Sequence, residues 1–140
     1  MQIIATFLTV SFSGLAILHL YWVAGGSVGL NSALPTVDDT PIFTPGPVAT
    51  AAVALLLAGF AIVALALGFG WVSAPWFPYA TFMGFALGTI LILRAVGEFR
   101  YVGVFKRIKT SKFARYDTWL FSPFCLLAGL AFLLLAANAA

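Results

Sequence analysis

Residues 94–115 read RAVGEFRYVGVFKRIKTSKFAR, and all seven Lys and Arg residues of this 140-residue chain fall within them. The chain is otherwise very apolar, 63% hydrophobic and 8% charged, where a soluble domain carries roughly 25% charged residues to cover its surface. Most of this surface must therefore face lipid, and in lipid every backbone polar group has to be satisfied internally, which selects helices. The net charge of +3 comes from one juxtamembrane block rather than from a basic face on a soluble domain. That arrangement excludes nucleic acid as a partner and points to membrane lipids.

Working outward from this block, four segments contain the roughly 20 apolar residues needed to cross a hydrocarbon core about 30 Å thick. They run from about Ile3 to Val23, Val48 to Phe69, Tyr79 to Phe99 and Thr118 to Ala137. The predicted fold is all-α, a single transmembrane domain over residues 1–140. It is a four-span bundle with a long first loop and a basic interfacial segment between spans three and four. Pro35, Pro41, Pro45 and Pro47 crowd the first connection, and Gly70, Pro75 and Pro78 mark the second. Trp22, Trp71, Trp76 and Trp119 all fall at span ends, the headgroup level that indole prefers. The first segment lacks the charged start of a signal peptide and its apolar run is too long for one, so it reads as a retained span. For the fourth span, Ser122-Pro123 fits a cap and first helical residue, but a helix starting there is too short to cross. A start near Asp117 as N-cap, with a bend at Pro123, is predicted instead.

Orientation follows by counting spans. The loop 100–117 holds six of the seven basic residues and is predicted cytoplasmic by the positive-inside rule. Two spans separate it from the loop 24–47, so both loops share that side and both termini lie outside. The expected location is a bacterial cytoplasmic (inner) membrane.

This threading gathers the few polar residues of the spans at one leaflet. His19 lies near the end of the first span, Arg94 and Glu98 lie late in the third, Arg100 follows it, and Asp117 opens the fourth. Arg94 and Glu98 are four apart and so share a helix face if the helix continues through them. Ionisable residues within spans cost several kcal/mol unless paired, which makes these five a candidate binding cluster. An Arg94–Glu98 bridge serving only folding is the competing reading. With a single histidine and a single cysteine, Cys125, neither a multi-His metal site nor a disulfide within the chain is available. Cys125 itself reads as a small packing residue.

Lys106, Arg107, Lys109, Lys112 and Arg115 are candidate contacts to lipid headgroups. Phe105, Ile108, Lys112 and Tyr116 recur at helical spacing, as in a short helix lying in the interface. The loop 24–47 is too apolar for a free linker and is expected to fold back over its end of the bundle. Asp38-Asp39 is too small a set for a metal and reads as a solvated turn. Gly84 and Gly88 form a G-x-x-x-G, which serves either packing inside the bundle or self-association. There is no H-E-x-x-H, G-x-S-x-G or P-loop, so no catalytic residues, metal or cofactor are predicted.

The sequence resembles a family of small bacterial integral membrane proteins catalogued only as a domain of unknown function (DUF3995). The likeness is carried by His19-Leu20-Tyr21-Trp22 with Gly25-Gly26, then Pro35, then Arg94-Ala95-Val96-Gly97-Glu98-Phe99-Arg100-Tyr101-Val102-Gly103. It continues through Phe113-Ala114-Arg115-Tyr116-Asp117 to Ser122-Pro123. The resemblance implies a bacterial multi-span protein and supplies no reaction. Three functional readings follow. The first is a non-enzymatic protein that binds a lipid or small amphiphile, or serves as an accessory subunit of a membrane complex. The second is a membrane-embedded enzyme acting on a lipid or quinone-like substrate, with Glu98 or His19 carrying the proton. The third is an oligomeric pathway for a small solute or protons, assembled through Gly84/Gly88. The reading leans away from an enzyme.

Overall fold

The computed structural model describes residues 1–34, 36–37, 40–70, 74–97, 105 and 112–140. Helix α1 spans Gln2–Val23, α2 Leu30–Ala33, α3 Pro47–Gly68 and α4 Phe77–Val96. The last membrane helix is built in three pieces: α5 over Lys112–Tyr116, a π-helical turn over Asp117–Phe121, and α6 over Ser122–Ala139. Two strands of two residues each, β1 (Thr36–Val37) and β2 (Thr40–Pro41), form a small antiparallel pairing in the first loop. Four helices are long and apolar enough to cross a membrane: Gln2–Val23, Pro47–Gly68, Phe77–Val96 and Phe113–Ala139. The fold is thus the all-α four-span bundle that the hydropathy pattern predicts.

Proline sets where two of the helices begin. Pro47 opens α3 and Pro78 lies in the first turn of α4, positions where a missing N–H costs no helical hydrogen bond. Helix α1 ends in a Schellman turn. Gly25 adopts φ +95°, and the Gly26 and Gly25 N–H groups return to the carbonyls of Tyr21 and Trp22 at 2.9 and 3.1 Å. The Tyr21 ring lies where a Cβ on residue 26 would stand, so a larger residue there would require that ring to move.

The helices pack as two antiparallel hairpins, α1 with α3 and α4 with α6, joined through α3 against α4 and α6 and through α1 against α6. Phe12 lies at their centre, with ring centroids 5.1 Å from Phe60, 5.7 Å from Phe124 and 5.8 Å from Phe132. Lipid is as apolar as this core, so dispersion and close approach hold it together rather than the hydrophobic effect. Close approach marks both hairpins: a Cβ on Gly68 of α3 would collide with Ala5 of α1, and glycines also line the seam between α4 and α6. A Cβ on Gly88 would lie 2.8 Å from the Gly129 carbonyl oxygen, and a Cβ on Gly84 would lie 3.0 Å from Ala136. The G-x-x-x-G therefore packs inside the bundle. Ile3, Phe7, Ile17, Leu55, Ile62, Phe82, Ile90 and Leu127 are exposed on the outside, as a lipid-facing surface requires.

Several local expectations need correction. Helix α4 ends at Val96, not Phe99, because Gly97 takes φ +86° and leaves the helix. The helix that the four-residue spacing of Arg94 and Glu98 presupposes stops at Val96, and Glu98 lies outside the described residues. The fourth membrane helix reaches back to Lys112, so Asp117 is an interior residue of it rather than an N-cap, and Ser122 is helical too. The bend expected at Pro123 takes the form of the π turn just before it. Pro123 cannot donate to the carbonyl four residues back, and its ring would collide with that carbonyl in a regular α-helix. Widening the preceding turn to π geometry relieves the collision, and the Ser122 N–H bonds to the Asp117 carbonyl five residues back. The interfacial helix expected around Phe105–Tyr116 is described only from Lys112. There it continues directly into the span, with Phe113 and Ala114 buried rather than turned to lipid.

The first loop folds back onto the same end of the bundle. Helix α2 packs against α5, Leu34 is buried, and the Trp22 Nε1–H donates to the Val28 carbonyl at 2.9 Å. The loop after α1 and the start of the fourth span thus share one end, as span counting requires.

Candidate functional site

At that end Arg94, in the last turn of α4, reaches across to the fourth membrane helix. Its Nη2 donates to Asp117 Oδ1 at 2.8 Å. The helix C-terminus favours a cation at this position, and the acceptor is the first residue of the π turn. The Asp117 side chain is fully buried while that of Arg94 is 33% exposed. A buried carboxylate is costly without a partner, and this charge-assisted bond supplies one for Asp117. The pair also ties α4 to the fourth span where Gly97 ends the former.

Two further donors are buried on the same two helices. Arg94 Nη1 and Ser122 Oγ are both buried and have no hydrogen-bond partner among the described residues. Ser122 is five residues from Asp117 across the π turn, which places both on one side of the helix. Cys125 is half-buried and lies within electrostatic reach of both Arg94 and Asp117. Together these groups make one charge pair with donor capacity left over. Its chemistry suits an oxygen acceptor.

The other candidates are placed as follows. His19 Nδ1 is 2.8 Å from the Leu15 carbonyl oxygen and acts as the donor there, and its ring meets Trp22 edge-on at 4.7 Å. Both partners are on α1, which shares no extended interface with α4. The structure thus joins Arg94 to Asp117 and leaves His19 on its own helix. Glu98, Arg100, Lys106, Arg107 and Lys109 lie outside the described residues. Lys112 opens α5, and Arg115 is exposed on it. No group of three or more His, Cys, Asp or Glu among the described residues is placed to hold a metal ion. Sequence reasoning missed Ser122 as a site residue. The available signal was its place between Asp117 and Pro123, which forces a non-α turn.

The fold and this polar layer define a multi-span α-helical membrane bundle with an ion pair at one end. The chain matches the family described as "Protein of unknown function (DUF3995)" over residues 12–132, and it belongs to that family. No curated protein and no solved structure matches it.

Proposed function

We propose that this protein is a non-catalytic, multi-pass protein of a bacterial inner membrane that binds an anionic amphiphile, a lipid headgroup, at the Arg94 end of the bundle. The observation that carries this reading is the state of Arg94. One guanidinium nitrogen holds Asp117, the other has no partner, and a third of the side chain is exposed. Arginine's planar fork is suited to holding a carboxylate with one edge and a phosphate oxygen with another.

The depth of the layer supports the same reading. The helix Phe113–Ala139 has 27 residues, about 40 Å at 1.5 Å per residue against a hydrocarbon thickness of about 30 Å. Counted back from Asn138, roughly 20 residues of span reach to about Thr118. That leaves Asp117 and the exposed Arg115 at headgroup level. The basic residues Arg100, Lys106, Arg107, Lys109 and Lys112 belong to the same connection and would add attraction for anionic lipid. By the positive-inside rule this end is cytoplasmic.

The test is native mass spectrometry of protein released from nanodiscs containing phosphatidylglycerol and phosphatidylcholine in equal amounts. Selective retention of phosphatidylglycerol is expected. The double variant Arg94→Gln/Asp117→Asn removes the guanidinium and the buried carboxylate together, and it should lose the selectivity while remaining folded. Equal retention of the two lipids by the wild type, or unchanged selectivity in the double variant, overturns the proposal. Co-purification of a stoichiometric protein partner in place of lipid would favour an accessory-subunit role.

A further inference from the structure

Ser122 differs from five threonines of the spans: Thr9 donates across to the Ala61 carbonyl of α3, and four others bond within their own helices. Thr50, Thr81, Thr89 and Thr118 each donate to the carbonyl four residues back in their own helix, at 2.9–3.3 Å. This is the ordinary way to satisfy a hydroxyl in an apolar surrounding. Ser122 is fully buried, yet its Oγ makes no such bond. The cause is the π turn, which shifts the carbonyls ahead of Pro123 and hands the Ser122 N–H to Asp117 instead of Thr118. A buried hydroxyl left without an acceptor costs about 1–3 kcal/mol, and such groups call for a specific explanation.

The register between α4 and α6 locates this hydroxyl. Gly84 faces Ala136, and Gly129 faces Gly88 and Ile92. Continued along the antiparallel pair, this register sets Arg94 near the level of Cys125, consistent with the electrostatic reach between them. To meet Asp117 the Arg94 side chain must climb past Ser122. The orphan Nη1 and the orphan Oγ therefore belong to one patch of the α4–α6 seam.

We infer that Ser122 is a binding residue, and that its hydroxyl and Arg94 Nη1 converge on one oxygen of a phosphate-type headgroup. This rests on the reading of the Arg94 end as a lipid site and names the chemistry of its ligand. Both protein groups are donors at that point, so the ligand atom must be an acceptor. Asp117 is already committed to Nη2, so it guards against a bare cation without competing for the phosphate. Pro123 acts indirectly, by forcing the turn that frees the serine.

The experiment compares wild type, Ser122→Ala and Ser122→Cys in the same phosphatidylglycerol/phosphatidylcholine nanodiscs, with thermal unfolding measured in parallel. Wild type should prefer phosphatidylglycerol, and Ser122→Ala should weaken that preference roughly tenfold, the loss of one hydrogen bond to a charged group. Its unfolding midpoint should stay level or rise, since an unsatisfied hydroxyl is removed. Ser122→Cys keeps the size with a feeble donor, so it should bind like the alanine variant. If wild type selects phosphatidylglycerol and Ser122→Ala does so equally, the role of Ser122 is overturned and the lipid site stands. If wild type shows no selection, the lipid site itself falls. Inorganic phosphate at millimolar concentration should fail to displace the lipid. Displacement would assign the site to free phosphate and overturn the headgroup as its occupant.

Discussion

At the scale of single residues, Arg94 and Asp117 are unequal partners, and their mutation should show it. Asp117 is fully buried and Arg94 is a third exposed. Removing the arginine takes a charged partner from a fully buried carboxylate, whereas removing the carboxylate leaves a cation that can extend toward the headgroups. We therefore expect Arg94→Gln to destabilise by about 2–4 kcal/mol and Asp117→Asn by about 1–2 kcal/mol, the second discounted for the exposure of Arg94. The double variant should recover most of the loss. A double-mutant cycle from unfolding in mixed detergent reads the coupling directly, and additive losses would show that the 2.8 Å contact contributes nothing. This partnership was only half legible in the sequence. Hydropathy and span counting place Arg94 and Asp117 at one leaflet. Pairing Arg94 with Glu98 by four-residue spacing assumed a continuous helix, and Gly97 at φ +86° ends it first.

At the scale of elements, the glycines separate those that hold helices together from those that merely sit in them. Gly88 and Gly129 face each other so closely that a Cβ on either meets the other's carbonyl oxygen at 2.8 Å. Backbone cannot yield as a flexible side chain does, so Gly88→Ala should cost about 1–3 kcal/mol by forcing α4 and α6 apart. Gly59 has nothing within 4 Å of where its Cβ would be, so Gly59→Ala should be neutral or stabilise by up to about 1 kcal/mol through helix propensity. Equal effects of the two, measured as unfolding midpoints, would mean that the α4–α6 seam does not set stability. The π turn yields a second expectation. Pro123→Ala removes the collision that widens the helix, so regular α hydrogen bonding should return, giving Ser122 a carbonyl four residues back. Losing one residue of slack also turns Asp117 by roughly 100° relative to α6. The coupling between residues 94 and 117 should then fall toward zero in the same cycle. The sequence announced a disturbance at Pro123 but not its form. Bend and π turn both relieve the same proline, and packing of Phe113, Ala114 and Asp117 toward the interior decides between them.

At the scale of the whole molecule, what the chain's pattern dictates most firmly is relative sidedness. The span boundaries read from hydropathy differ from the observed helices by at most three residues at each end of the first three spans. The early start of the fourth span lies beyond the apolar run, in Lys112–Tyr116, which composition alone assigns to the loop. The contact of α2 with α5 adds an independent tie between the first loop and the start of the fourth span. The connection between α3 and α4 must then emerge at the opposite end, because each of those helices crosses once. Single cysteines placed at Asn31, Arg115, Ala74 and Asn138 in a Cys125→Ala background test this. Asn31 and Arg115 should label together from one face of sealed vesicles, and Ala74 and Asn138 from the other. The positive-inside rule goes further and assigns the Asn31/Arg115 face to the cytoplasm, so a membrane-impermeant maleimide added to right-side-out vesicles should reach Ala74 and Asn138 first. If the reagent reaches Asn31 and Arg115 first, the bundle stands and its orientation is inverted. If Asn31 and Arg115 label from different faces, the helices do not cross as four parallel or antiparallel spans, and the layer built by Arg94, Asp117 and Ser122 has no leaflet in common.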